Sequence, residues 1–189
     1  VVDDGSSDNT REVVTAYGAP VRYVFQENQG PGAARNHGIR VAAGMYLGFL
    51  DSDDVWLPTF LAKTVAALDA YPDVDVATVG IYVGPEGQKI ITHLEGVQPG
   101  LWQLPHRVPK RELRHLLSGF CAGSLLVRGE VVRKYGGYYE NRCLLGEDVY
   151  LWIQVVLNHK VYRICEPLLW YDTTGSSLGF SSHKAHFPI

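Results

Sequence analysis

The chain has 189 residues, 46% apolar and 20% charged, with a formal net charge of −3. That balance fits one globular domain with a substantial core, and it gives no electrostatic case for nucleic acid binding. The three cysteines, Cys121, Cys143 and Cys165, are odd in number and form no C-x-x-C pair, which argues against a disulfide framework or zinc site and for a reducing compartment.

The chain opens Val1-Val2-Asp3-Asp4-Gly5-Ser6-Ser7-Asp8. Two β-branched residues lead into an acidic turn and then into a helical stretch over 11–17, with Ser7 or Asp8 as N-cap. Val1 stands inside this strand, so an earlier strand and helix are expected and the chain is expected to lack its true N-terminus. Residues 21–25 predict a strand, and Asn28-Gln29-Gly30-Pro31-Gly32 a turn rich in breakers. A helix follows over 33–43, packing through Ala33, Ala34, His37, Val41 and Ala42. Residues 45–50 form a short apolar run that predicts a buried strand.

Pro58 suits a first helical position, and the helix predicted over 59–71 places Leu61, Val65 and Leu68 on one face. Residues 74–79 predict a strand. Residues 80–109 mix glycines and prolines with short β-like pieces and include Trp102. A short helix is expected over 110–117, a strand over 123–128 and a helical turn over 130–135. A helix is predicted over 147–157, then one or two strands over 161–170 around Pro167. Strands alternating with helices predict an α/β domain with a mainly parallel central sheet flanked by helices. No signal peptide pattern is present, and no apolar run is long enough to span a bilayer.

The acids carry the chemistry. Asp51-Ser52-Asp53-Asp54 follows the apolar run directly, at the carboxyl end of the predicted strand, where open α/β sheets bind ligands. Acids crowded there repel one another unless a cation neutralises them. Hard divalent cations take carboxylate oxygens and share them with substrate phosphates. A calcium loop is excluded, because Val55, Leu57 and their neighbours supply neither the glycine nor the late glutamate of an EF-hand. The cluster therefore predicts a metal-assisted site for a phosphorylated substrate.

Four segments in order resemble the family 2 glycosyltransferases of GT-A fold. They are Val-Val-Asp-Asp-Gly-Ser-Ser-Asp at 1–8, Asn-Gln-Gly-Pro-Gly-Ala-Ala-Arg-Asn at 28–36, Phe-Leu-Asp-Ser-Asp-Asp at 49–54 and Gly-Glu-Asp-Val-Tyr-Leu-Trp at 146–152. The resemblance implies a single GT-A type nucleotide-diphospho-sugar transferase domain over residues 1–189, incomplete at its N-terminus. Within it, residues 1–79 would bind the nucleotide-sugar, and residues 80–189 would hold the acceptor and the catalytic base. The implied reaction is inverting sugar transfer from a nucleotide-sugar, commonly a UDP-sugar, to a saccharide or lipid-linked acceptor. Mg2+ or Mn2+ is the implied cofactor. The implied setting is polysaccharide biosynthesis in the cytoplasm, with peripheral contact at the inner face of a membrane.

By this resemblance Asp3 and Asp4 orient the nucleotide; the alternative is that they only shape the turn. Arg35 reaches phosphate, or pairs with Asp51 or Asp53 to hold the site open. Asp53 is the direct metal ligand, and Asp51 contributes to the metal site or the ribose. Asp54 caps the following turn. Asp148, preceded by Glu147, is the general base; acids in a first helical turn also complement the helix dipole. Trp102 is a candidate for stacking on the acceptor, and residues 80–120 are expected to set acceptor choice.

The chain departs from the family pattern at Gln154, where an arginine is common, and at Asp172-Thr173-Thr174, where an arginine and a histidine are common. His183 and His186 lie further on. Two rivals stand beside the main reading: a metal-dependent nucleotidyltransferase, and an inactive fragment or nucleotide- or sugar-binding module.

Overall fold

The computed structural model describes residues 1–84, 98–105, 107–110, 113, 120–140 and 147–173, and the backbone of 89–91. Strand β1 (Val2–Asp4) pairs in parallel with β2 (Val24–Gln26), setting Asp3 opposite Phe25 and Asp4 opposite Gln26. Helix α1 (Thr10–Ala16) is the crossover between them and buries none of its residues. The Asp8 carboxylate accepts from the Thr10 N–H at 3.0 Å, although the N-cap position itself is Asn9.

The remaining strands form a second sheet of seven. Its main path runs β3 (Tyr46–Gly48), β8 (Leu125–Arg128), β5 (Val76–Val83), β9 (Val161–Tyr171) and β4 (Val55–Trp56). β6 (Lys89–Ile91) adds to β5, and β7 (Gly100–Trp102) to β9. The α/β class holds, but the expected mainly parallel sheet does not. Among the described residues only β1–β2 and β5–β9 are parallel, and the other ladders are antiparallel. The reason is topological. β8 comes from late in the chain and inserts between β3 and β5, antiparallel to both. The two early strands therefore never pair, although a helix connects them.

Helix α2 (Pro31–Val41) starts with Pro31 in its first turn, where the missing N–H costs nothing. Its buried stripe is Gly32, Asn36 and Ile39 rather than the alanines. Helix α3 (Phe60–Ala70) buries Phe60, Thr64, Ala67 and Leu68, a spacing of one helical face. Leu61, expected on that face, is exposed. A 3-10 turn over Ala122–Ser124 leads into β8, and helix α4 (Gly129–Lys134) follows it. Helix α5 (Glu147–Asn158) buries Leu151, Trp152, Val155 and Val156. The helix expected over 110–117 falls largely outside the described residues.

Apolar side chains cover both faces of the sheet. The alternation of β8 shows it: Leu125 and Val127 join the cluster with Leu151, Trp152 and Val155, while Leu126 turns to Leu68 and Val74 beneath α3. Cys121 and Cys165 are free thiols, and Cys143 lies outside the described residues. Among the described residues, no helix is long and apolar enough to cross a membrane.

Leu169, fully buried in β9, tests this core. Leu169→Ala is expected to cost about 2–5 kcal/mol in chemical denaturation. Leu101→Ala, on the exposed side of β7, should stay within about 0.5 kcal/mol.

Candidate active site

The site is built on the turn that leaves β3. Gly48, the last residue of that strand, has no room for a side chain: a Cβ there would lie 2.8 Å from the Trp56 ring. Trp56 stacks on Phe60 with ring centroids 4.3 Å apart, and its indole N–H donates to the Gly123 carbonyl at 2.7 Å. The Asp54 N–H donates to the Asp51 carbonyl at 3.1 Å and closes the acidic turn. This packing fixes where the carboxylates of Asp51, Asp53 and Asp54 stand.

The three acids have different surroundings. Asp54 is turned inward and accepts from the Asp172 N–H at 3.2 Å. It ties the turn to the end of β9 instead of only capping its own turn. Burial pushes its carboxyl up to about 7, and the charges of Asp51 and Asp53 add to that. Asp53 is partly exposed, and its carboxylate makes no hydrogen bond or ion pair with the described residues. Asp51 is held by Arg35.

Arg35 joins two distant stretches of the chain. Its Nη2 donates to both oxygens of Asp51, at 2.8 and 2.7 Å. Its Nη1 donates to Glu147 Oε1 at 2.6 Å, across 112 residues of sequence. The guanidinium also sits over the Tyr138 ring, 5.3 Å from its centroid. Burial pulls its pKa down, but Asp51, Tyr138 and the hydrogen bonds outweigh that, so the proton is held more tightly than usual. The turn after β3 and the first turn of α5 are therefore pinned to one another through α2.

Glu147 is thus engaged, while its neighbour Asp148 is not paired with Arg35. Asp148 Oδ1 accepts from the Val149 N–H at 2.8 Å. Burial, followed by the charge of Glu147, pushes the Asp148 carboxyl up to about 6. Beneath Arg35 the Tyr138 ring packs edge to face with Phe49 and Trp152, the three centroids lying 5.1 to 6.4 Å apart. This aromatic floor, with Asn36, the wedged Trp56 and the tie from Asp54 to Asp172, is what the sequence reading missed. The available signal was Asn36 beside Arg35, a poor helix former in mid-helix.

Asp3 and Asp4 take no part in these contacts: Asp3 is held by its own turn and by Tyr23, and Asp4 by β2 and the approach to α2. Asp3 is 4% exposed. It accepts from the Ser6 N–H at 2.8 Å and the Tyr23 hydroxyl at 2.5 Å. The Tyr23 bond, with those from Ser6, holds its carboxyl below the usual range. Asp4 accepts from Gln26 Nε2 and from the Gln29 and Gly30 N–H groups at 2.7 to 2.9 Å. It thereby fixes the approach to α2, which carries Arg35. Trp102 turns edge-on to Phe120 and packs against the core. Gln154 donates to the Tyr150 carbonyl one turn back on α5. Thr174, His183 and His186 lie outside the described residues.

The donor set suits a hard divalent cation. It offers carboxylate oxygens only, with the Asp53 carboxylate unpartnered among the described residues, in a turn where burial and the charges of Asp51 and Asp53 raise the proton affinity of Asp54. Among the described residues, no three ligands gather round one point.

A model of glycosyl transferase family 2 matches residues 1–136. The chain belongs to glycosyl transferase family 2. An uncharacterized glycosyltransferase of Rickettsia prowazekii is 36% identical over 174 residues, covering 89% of this chain and 52% of that protein. The succinoglycan biosynthesis protein ExoU of Rhizobium meliloti is 28% identical over 185 residues, covering 87% and 50%. The chain spans about half the length of these curated relatives. TarS of S. aureus in complex with UDP-GlcNAc superposes with a TM-score of 0.69 at 18% identity, over 93% of this chain and 49% of that one. The mannosyltransferase PcManGT of Pyrobaculum calidifontis, in complex with GDP-Man and Mn2+, gives 0.60 at 18% identity, over 94% and 48%. These likenesses bear out the GT-A fold.

Removing Arg35 strands two carboxylates. Arg35→Met should lower the unfolding free energy by about 3–5 kcal/mol, the usual cost of breaking a buried ion pair. Arg35→Lys should recover only a fraction of that, because an ammonium cannot serve both partners in the same fork; urea denaturation reads both.

Proposed function

We propose that this family 2 domain transfers a sugar, with inversion, from a UDP-sugar or related nucleotide-sugar to a saccharide or lipid-linked acceptor. One observation carries the reading: Arg35 ties the Asp51 turn and the Glu147 helix start into one site. An acidic turn for a metal-diphosphate and an acidic helix start for an acceptor are what single displacement at an anomeric carbon needs.

In this mechanism Asp53 would hold Mg2+ or Mn2+ directly, and Asp51, fixed by Arg35, would complete the metal side or meet the ribose. When bound, the cation neutralises charge on the departing diphosphate. Asp148 takes the proton from the acceptor hydroxyl as that oxygen attacks the anomeric carbon. With a pKa of about 6 it is ionised at neutral pH and still a stronger base than an ordinary aspartate. Glu147 keeps α5 in place through Arg35. Asp3 and Asp4 act at the nucleotide end, where their hydrogen bonds already set the turn and leave lone pairs for the base or ribose.

Calorimetric titration of UDP with and without Mn2+ tests the donor side. Metal-dependent binding is expected, weakened at least about tenfold in Asp53→Ala. Binding indifferent to both metal and Asp53 overturns the metal assignment and favours a nucleotide-binding module.

The base has its own signature. Transfer should fall on the acid side with a midpoint near 6 as Asp148 takes up its proton. Asp148→Asn should slow transfer by roughly 10²–10⁴ and abolish that limb, with UDP affinity unchanged. The same carboxyl lies above its ordinary 3.8 in the folded state. The stability it lends when protonated is full below 3.8 and is lost as pH rises through about 6. Asp148→Asn should therefore be more stable than the parent at pH 8, by about 1 kcal/mol.

A further inference from the structure

The residue after Arg35 has a second task. Asn36 is buried in α2, and its side-chain amide takes both backbone groups of Tyr138. Its Oδ1 accepts from the Tyr138 N–H at 2.7 Å, and its Nδ2 donates to the Tyr138 carbonyl at 2.8 Å. The same Nδ2 lies 2.7 Å from Glu140 Oε1. An amide pairing with both groups of one residue imitates a strand ladder from within a helix.

Two glycines make the fit possible. A Cβ on Gly137, at φ +86°, would fall 2.1 Å from Asn36 Oδ1. A Cβ on Gly32 would fall 2.3 Å from the Tyr139 carbonyl oxygen. Residues 137–139 therefore lie directly on α2. From there the Tyr139 N–H reaches the Glu147 carbonyl at 3.4 Å, and the Tyr138 ring lies under Arg35.

We infer that Asn36 is a positioning residue: through Tyr138 and Tyr139 it sets the first turn of α5, and with it the place of Asp148. Arg35 holds that turn by its side chain, and Asn36 holds it by the backbone alongside. The assignment of Asp148 as base belongs to the proposed function, on which the catalytic meaning of this latch rests; the latch itself is tested without turnover.

The test is carboxyl 13C NMR titration of Asp148, together with amide hydrogen exchange over 147–151, in the parent, Asn36→Ala and Gly32→Ala. Asn36→Ala removes the paired amide. Gly32→Ala pushes the Tyr139 carbonyl off α2 while adding a better helix former, so it remains informative if the first variant unfolds. In both, the Asp148 midpoint should move down toward the ordinary aspartate range. Amides of the first turn of α5 should exchange at least about tenfold faster, with those of β5 and β9 unchanged. A general loss of stability would instead speed all of these amides together and leave the midpoint where it was. An unmoved midpoint with unchanged exchange at 147–151 in a folded variant overturns the inference. If the latch fails while Asp148→Asn still slows transfer, the base assignment stands. If Asp148→Asn transfers normally while the latch readouts move as expected, the base assignment falls and the latch remains.

Discussion

The site depends on one buried cation. Taking a guanidinium out of water is costly, and for Arg35, with a side chain only 13% exposed, two carboxylates and an aromatic ring offset that cost. Its partners come from the turn after β3 and from the start of α5, which no ladder of the sheet connects. The fork geometry of the guanidinium matters, because two oxygens of Asp51 and one of Glu147 are met by separate nitrogens. Without that cation the two acidic segments would repel each other, and the sheet alone would not force them together.

One arginine does not balance the charge around it. Asp51 and Glu147 exceed it by one, and Asp53, Asp54 and Asp148 stand nearby with no cationic partner among the described residues. Burial, with this excess charge adding to it, makes the carboxyls of Asp54 and Asp148 hold protons above their ordinary range. Such a cluster opposes folding. It persists because its supports are overbuilt: Trp56 is wedged between Gly48 and Phe60, and Phe49, Tyr138 and Trp152 interlock beneath. An acid-rich cluster beside interlocked aromatic rings is suited to a ligand that brings positive charge with it.

Much of this was legible in the sequence, because acids at strand ends and helix starts keep their meaning whatever the pairing. The acidic turn at 51–54, the helix start at 147 and the pairing of Arg35 with Asp51 were readable from motifs, whereas the bond from Arg35 to Glu147, 112 residues away, was not. Sheet pairing was not readable either. The insertion of β8 between β3 and β5 joins residues such as Leu47 and Val127, some 80 positions apart, and no strand–helix alternation encodes that. The buried face of α2 misled for a related reason. Small and polar Gly32 and Asn36 are buried because the backbone of 137–139 packs there, whereas periodicity looks for apolar side chains. Asp3 and Asp4 are acids whose hydrogen bonds go to the chain's own groups, Ser6 and Tyr23 for Asp3 and Gln26, Gln29 and Gly30 for Asp4, and a motif cannot separate that role from nucleotide contact.

Arg35 also explains how adjacent acids come to differ. Consecutive helical residues point about 100° apart, so at the start of α5 Glu147 meets the guanidinium while Asp148 accepts from the Val149 N–H. In the turn after β3, Asp51 meets it while Asp53 does not. Each segment thus holds one acid paired with the guanidinium beside acids that have no cationic partner among the described residues, Asp53 and Asp54 in the turn and Asp148 on α5. The paired acids fix distance, and the unpaired ones keep raised proton affinity, as on Asp148, or open lone pairs, as on Asp53. This is the general way in which one kind of side chain supplies two roles in a site. Here a single buried guanidinium does the sorting in both segments at once, so that the proposed metal ligand and the proposed base are defined by the same interaction that holds them in register.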